Sequence, residues 1–374
     1  MKQYETLDLE KENGTRFFYQ PNKIEESKQE LQEFVLEEKH MNNISFAKKV
    51  MFSHELKANN QVEGYNDDVK TIEEVIKKET SINDLQKQKR ILNLFAGYKY
   101  ILEHSSINKD SLKELYSVLS NGLIESNLLD KMGEYYRIGD VYILQNGRLD
   151  NSIETGVNPK NVDRLMDKYF EFQNNNSNDM TENYILSQIM HLYFVYIHPY
   201  YDVNGRTSRT LAMWKLLNKE SYPYIIFNRG ISLGGSNYDQ IIRKTIQNNN
   251  LTNFIEYMLD TVKIELEKEY VMHSIASSVS GDLTSLDYQT MIYYLSMKGL
   301  KTVKDFATIY NRFNDKKTIK EIYETMILPL LDKNILLIDR YTKKMMYEQK
   351  SNIVLDINKN YIDTDPNKIR RLTI

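Results

Sequence analysis

Apolar residues recur at three- and four-residue intervals over Ile24 to Leu36, Ile72 to Ile76, Leu85 to Ile101, Leu112 to Leu119 and Val162 to Phe172, a spacing that predicts amphipathic helices. Tyr184 to Ile197 is apolar on nearly every side, so it is expected to be a buried central helix that stops at His198-Pro199. The segment GEYYRIGDVYILQNGRLDNSIETGVNP breaks the pattern. It alternates β-forming and turn residues and carries Asn146-Gly147, which predicts a β-hairpin flap between helices. The polar run NNNSND marks a loop. Toward the C-terminus the units shorten to Tyr288 to Met297, Val303 to Tyr310 and Ile319 to Leu331, followed by Ile335-Leu-Leu-Ile and Lys344 to Tyr347. Three short helices and two strand-like pieces fit either a winged-helix module or a helical extension. The expected class is mainly α.

Composition narrows this. At 374 residues the chain has room for two or three domains, and 14 glycines with 6 prolines leave the helical reading undisturbed. A net charge of −3 removes the electrostatic case for nonspecific nucleic-acid binding, so any polyanion must be held by a specific site. There are no cysteines, which excludes disulfides, zinc ribbons and a thiol nucleophile. The N-terminal MKQYETLDLEKENG is charged where a signal peptide is apolar, and no apolar run reaches the length of a membrane span. A cytoplasmic protein with no membrane partner is expected.

The chemistry concentrates in HPYYDVNGRTSR, residues 198–209. His198 emerges from the end of the buried helix. A second helix is expected to start after Asn204, a favoured N-cap, and to run through Thr207, Leu211 and Trp214 to Leu217. The unpaired amides near residues 203–206 and the positive end of the helix dipole would then form an anion site. Arg206 and Arg209, three apart, can each grip a phosphate oxygen. Asp202 is placed to hold Mg²⁺ against those phosphates, and neutral His198 to accept the proton of an attacking hydroxyl. Each residue alone has an ordinary structural explanation. Together, directly after a buried helix, they describe transfer from a nucleotide to a hydroxyl.

These residues resemble the signature H-P-F-x-D/E-G-N-G-R-x-x-R of the Fic (FIDO) family, matched by His198, Pro199, Asp202, Asn204, Gly205, Arg206 and Arg209. The flanking HLYFVYIHPY and TLAMWKLLNKESYP are also similar, and the likeness extends over roughly residues 50–265. It implies a Fic-type helical bundle and transfer of AMP from ATP, with Mg²⁺, to a Ser, Thr or Tyr hydroxyl of a protein. By matching position, His198 would be the general base and Asp202 the metal ligand. The cradle of Val203, Asn204, Gly205 and Arg206 would hold the α- and β-phosphates, with Arg209 on the γ-phosphate. Val141, Tyr142 and Ile143 would be the flap that aligns the target by strand-like pairing. Tyr238 resembles the tyrosine of the adenine pocket. The implied division is an N-terminal helical region with an inhibitory helix over 1–105, a catalytic core over 106–268 and a C-terminal winged-helix-like domain over 269–374.

Two positions depart from the signature. Tyr200 stands in place of phenylalanine, and its hydroxyl needs a partner if buried. Val203 stands in place of glycine, where a β-branched residue is expected to resist positive φ and to crowd the phosphates. Upstream, KANNQVEGYND resembles the family's inhibitory S/T-x-x-x-E-G/N through Glu63-Gly64, with Asn59 in place of Ser/Thr and Tyr65 in place of asparagine. The resemblance implies that Glu63 pairs with Arg209 and inhibits the enzyme. Phosphate transfer, removal of AMP from a modified protein, and a DNA-binding regulator with a nucleotide-sensing domain are the alternatives. Self-modification and homo-oligomers are further expectations for partners.

Overall fold

Alternation, not helical spacing, governs the first twenty residues. Leu7 and Leu9 are buried between exposed neighbours, so Glu5–Glu10 (β1) pairs antiparallel with Arg16–Tyr19 (β2) through a turn at Asn13-Gly14, where Gly14 has φ 80°. The expected helical region over 1–105 therefore begins with strands, and its Asn-Gly turn is the signal that distinguishes them. The computed structural model describes residues 3–37, 41–65, 67, 69–77, 84–143, 154–279, 301–313, 316–332, 334, 336–338 and 354–357. They fall into two compact units, Met1–Glu265 and Leu266–Ile374.

Helices then dominate the first unit: α1 (Pro21–Glu37), α2 (Ile44–Val50), α3 (Leu56–Val62), α4 (Val69–Lys77), α5 (Leu85–Glu103), α6 (Lys109–Ser120) and the single turn α7 (Ser126–Leu129). A two-stranded piece follows, β3 (Tyr142–Ile143) antiparallel to β4 (Glu154–Thr155). The Asn146-Gly147 turn between them lies outside the described residues. After it come α8 (Pro159–Gln173), α9 (Met180–Ile197), α10 (Asn204–Asn218), α11 (Phe227–Gly234), α12 (Ser236–Asn248) and α13 (Thr252–Val279), of which the last continues past the unit boundary at Glu265. The result is a mainly helical bundle with a small β-hairpin, as the spacing of apolar residues predicts. Asp84, Asn108, Asn158 and Asp179 accept first-turn amides and so fix where α5, α6, α8 and α9 begin.

The core is built on α9, buried on nearly every face and packed against α8 and α10. Its partner α10 is buried along nearly its whole length, and α5 and α6 cover α10. Between α2 and α3 the helix widens into a π turn, Met51–Glu55. The fully buried Glu55 accepts the backbone amides of Asn228 (3.2 Å) and Arg229 (3.1 Å) at the start of α11. That carboxylate fixes α3 in place against α11. Burial pushes its pKa up to about 7, with Arg229 opposing.

In the second unit the described residues form β5 (Lys301–Thr302), α14 (Val303–Phe313), α15 (Ile319–Ile322), a π turn Tyr323–Ile327, α16 (Leu328–Asp332), β6 (Leu336–Ile338) and β7 (Val354–Ile357). The strands make an antiparallel sheet in the order β5-β7-β6, with β7 in the centre. The sequence pattern had not singled out Val354–Ile357. Tyr288 to Met297 and Lys344 to Tyr347 lie outside the described residues, as does Ile335.

Candidate active site

The loop after α9 is held by two residues in the left-handed region, His198 (φ 53°) and Val203 (φ 65°). Neither is glycine, so each costs about 1–2 kcal/mol that surrounding contacts must offset. At His198 the amide donates to Phe194 O (2.9 Å), and the carbonyl accepts the Nε–H of Arg137 (2.8 Å). Arg137, 2% exposed, also donates to the carbonyls of Gly139 (2.7 Å) and Val157 (2.6 Å), while its own amide reaches Pro199 O (3.0 Å). One guanidinium thus joins the loop after α9 to both ends of the hairpin. Sequence reasoning missed Arg137, because its three acceptors come from three segments.

Val203 adopts the conformation it was expected to resist. Its side chain is buried, its amide donates to Asp202 Oδ1 (2.6 Å), and its carbonyl accepts from Thr207 N (3.0 Å) and Thr207 Oγ1 (2.8 Å). Val203, not Asn204, is the N-cap of α10. Asn204 is the first helical residue, and its side chain closes the loop by accepting Tyr200 N (3.0 Å) and donating to Tyr200 O (2.8 Å). The amide side chain is therefore spent on loop shape. Tyr200 is 1% exposed and stacks on Tyr116, with centroids 3.5 Å apart. Its hydroxyl has no hydrogen-bond partner among the described residues, contrary to the expectation of one.

The amides of residues 204–206 belong to the first turn of α10 and have no carbonyl to meet within the helix. Above them Gly205 leaves no room for a side chain: a Cβ there would overlap the Glu63 carboxylate and stand 3.1 Å from Arg209 Nη1. Arg206 is 5% exposed, and its Nε and Nη1 find no hydrogen-bond partner among the described residues. Burial lowers its pKa, against the attraction of Glu63 and Asp202. A buried guanidinium with unmet donors at a helix N-terminus is an anion site in both charge and geometry. Asp202 is exposed beside it, with one carboxylate oxygen on the Val203 amide.

The anion now in that site is Glu63. Helix α3 ends there in a Schellman turn: Gly64 N donates to Gln61 O (2.9 Å), Tyr65 N to Asn60 O (3.1 Å), and Gly64 takes φ 83°. Tyr65, which stands in place of the motif's asparagine, closes this turn through its amide. The Tyr65 ring also lies under Arg90, 3.6 Å from the guanidinium carbon. From the capped end Glu63 Oε1 accepts Arg209 Nη2 at 2.7 Å. Arg209, 2% exposed, is held as well by Asn59, whose Oδ1 accepts Nε (2.8 Å) and whose carbonyl accepts Nη2 (3.2 Å). Burial works against both charges, yet their attraction more than offsets it, lowering the pKa of Glu63 and raising that of Arg209.

His198 is half-buried, and its Nδ1 sits 3.4 Å from Val195 O, so Nε2 is the nitrogen left for chemistry. Burial, aided by the Arg137 charge, pushes its pKa down to about 4 against the opposing pull of Val195 O and Glu63. The ring is neutral at physiological pH, the state a base requires. Tyr238 is 4% exposed; its hydroxyl pairs with His191 Nε2 and also meets Arg209. Burial holds His191 neutral, with a pKa of about 3.

In the hairpin, Val141 is buried and Tyr142 is 62% exposed. Tyr142 pairs with Thr155 and Ile143 with Glu154, and Gly156 N donates to Val141 O (3.0 Å). Were a Cβ added at Gly156, it would lie 3.7 Å from the His198 Cβ, so the hairpin base abuts the candidate base. No helix among the described residues is long and apolar enough to cross a membrane.

Residues 106–216, from the start of α6 into α10, match the sequence model of the Fic/DOC family. A Fic family protein from Desulfovibrio desulfuricans G20 is similar in fold, with a TM-score of 0.54 at 16% identity, over 90% of this chain and 96% of that one. A segment of Fic-1 from C. elegans is similar over 66% of this chain and 71% of its own, at 16% identity and a TM-score of 0.49. The matched segment holds His198, Asp202, Arg206 and Arg209; Asn59 and Glu63 lie outside it.

Proposed function

We infer that the chain is a protein adenylyltransferase, moving AMP from ATP to a protein hydroxyl and restrained by Glu63. One observation carries this reading: the buried Arg206 guanidinium with two unmet donor groups beside the first-turn amides of α10, eight residues on from a histidine that burial keeps neutral. Buried donors left without acceptors cost about 1–3 kcal/mol each until an acceptor completes them. Polyphosphate supplies several such oxygens. Fic-domain proteins are typically nucleotidyltransferases, which fits the same chemistry.

In this reading His198 Nε2 takes the proton of the target hydroxyl as that oxygen bonds the α-phosphorus, and the bond to the β-phosphate oxygen breaks with pyrophosphate leaving. The amides of residues 204–206 and Arg206 receive the negative charge that develops there. Among the described residues no three His, Cys, Asp or Glu side chains gather to hold a metal. Asp202 would share Mg²⁺ with the phosphates, the usual arrangement for an ion that keeps few protein ligands, and the ion would supply charge neutralisation. The hairpin strand Tyr142–Ile143 would pair with the target backbone. That Val203 already holds the left-handed φ of a glycine supports a normally shaped cradle and favours AMP transfer over phosphate transfer.

Glu63 restrains the reaction in this account by occupying the space over Gly205 and one face of Arg209, so a terminal phosphate cannot take the pose for in-line attack. A second reading has its own observation: the Glu63 carboxylate is among the charges that bear on His198, and in this reading it would align a water for removing AMP from a modified hydroxyl. Wild type, Glu63→Gly and His198→Ala would be incubated with Mg²⁺ and ATP labelled at the α- or γ-phosphate. The expected result is α-label on protein for Glu63→Gly and none for His198→Ala. Transfer of γ-label instead would replace AMP transfer by phosphate transfer, and loss of label from a pre-modified protein in wild type alone would favour removal.

A further inference from the structure

Glu63 and Asn59 lie one turn apart on α3 and hold the same guanidinium, yet their chemistry differs. Glu63 is an anion and neutralises Arg209. Asn59 is neutral and only orients it: Oδ1 takes Nε at 2.8 Å, and the main-chain carbonyl takes Nη2 at 3.2 Å. Resting on the adenylyl-transfer reading, we propose that Asn59 is a positioning residue for the reaction itself, the mount that aims Arg209 at the terminal phosphate once Glu63 withdraws.

Three features support a built mount. Asn59 is fully buried, and its Nδ2 donates to the Tyr98 hydroxyl at 2.9 Å, which fixes the end of the amide that presents oxygen to Arg209. Its carbonyl is available because the Schellman turn tightens the end of α3: Glu63 N donates to Asn60 O, not to Asn59 O. And Asn59 uses only Nε and one side of Nη2, leaving Nη1 next to Gly205, where the cradle begins. Removing Glu63 therefore leaves the guanidinium aimed but uncompensated, with its full charge free for a phosphate. Two residues of one helix then act with opposite sign: loss of Glu63 raises activity and loss of Asn59 lowers it.

Calorimetric titration of full-length Glu63→Gly with Mg²⁺-ATP and with Mg²⁺-ADP, against Glu63→Gly/Asn59→Ala, separates these roles, because only ATP carries the phosphate that Arg209 would grip. The expected outcome is an ATP affinity about tenfold or more weaker in the double variant, the scale of one charged hydrogen bond, with ADP affinity unchanged and α-label transfer reduced. Glu63→Gly/Tyr98→Phe removes one hydroxyl, which a fold tolerates better, and is expected to move the ATP-to-ADP ratio in the same direction by less. An unchanged ratio in both double variants would overturn the mount. So would Asn59→Ala alone transferring label as fast as Glu63→Gly, since Asn59 would then belong to the restraint. If Glu63→Gly itself binds neither nucleotide, the failure lies with the nucleotide site and the adenylyl-transfer reading falls first.

Discussion

Arg137→Met keeps the length and most of the volume of a buried side chain while deleting its donors. The carbonyls of His198, Gly139 and Val157 lose partners at 2.8, 2.7 and 2.6 Å. A charge-assisted hydrogen bond contributes about 1.5–3 kcal/mol, but methionine is spared the desolvation of a guanidinium, so the net cost falls below the sum, at about 3–5 kcal/mol. The His198 contact matters most for activity, because it helps to hold a left-handed residue whose relaxation gains about 1–2 kcal/mol. A ring released in this way misplaces Nε2, and a displacement of about 1 Å costs roughly 100-fold in rate. In the Glu63→Gly background, α-label transfer should therefore drop by about that factor while ATP affinity stays the same, since Arg206, Arg209 and the α10 amides are untouched. Denaturant unfolding and ATP titration complete the assay. A variant that unfolds more easily yet transfers label at the full rate would refute the link from Arg137 to His198.

Other expectations follow from the same site. Glu63→Gly should raise α-label transfer by about 10- to 150-fold, the factor equivalent to the charged contact it gives up; equal labelling of wild type and variant would remove Glu63 from the account. Gly205→Ala should weaken ATP binding even in the Glu63→Gly background, where the carboxylate is gone, because a methyl group next to Arg209 Nη1 narrows the cradle; calorimetry that finds unchanged affinity would contradict this. With His198 pushed down to about 4, the basic form persists well below neutrality, so the transfer rate should be flat from about pH 6 to 8. An inflection near the ordinary histidine value would argue against the buried ring acting as base. Stability should behave differently. His198 and His191 have folded values below the unfolded 6.5, so the unfolded chain takes up protons first; their contribution is complete above about pH 6.5 and is lost as pH falls toward about 4 for His198 and about 3 for His191. Denaturant midpoints across that window should decline, and less steeply in His191→Gln.

Much of this was legible in the chain order. Tyr184 to Ile197 announces a buried helix because its apolar residues cover every face, and Pro199 helps mark where it must stop. The spacing of Arg206 and Arg209 follows from helix geometry alone. Where the reading slipped, a local preference met a tertiary demand. Asn204 is the better N-cap by propensity, yet it serves as a clamp on Tyr200 and leaves the cap to Val203. The strands at Glu5–Glu10 and Arg16–Tyr19 were overlooked although their alternation and Asn13-Gly14 turn were present, since helical spacing dominates the sequence that follows.

Periodicity, turn chemistry and motif spacing depend on neighbours within a few residues, and those the sequence determined by itself: the mainly helical class, the C-terminal end of α9, and the stretch in which His198, Arg206 and Arg209 gather. Partners brought together from 61 residues apart, as Arg137 and His198, or from 146, as Glu63 and Arg209, depend on how the helices pack. The pairing of Glu63 with Arg209 was expected, but only through the resemblance of KANNQVEGYND to a known motif. Only the tertiary structure decided that Arg206 stands buried with unmet donors and that Glu63 lies over Gly205, because desolvation and close packing act through space.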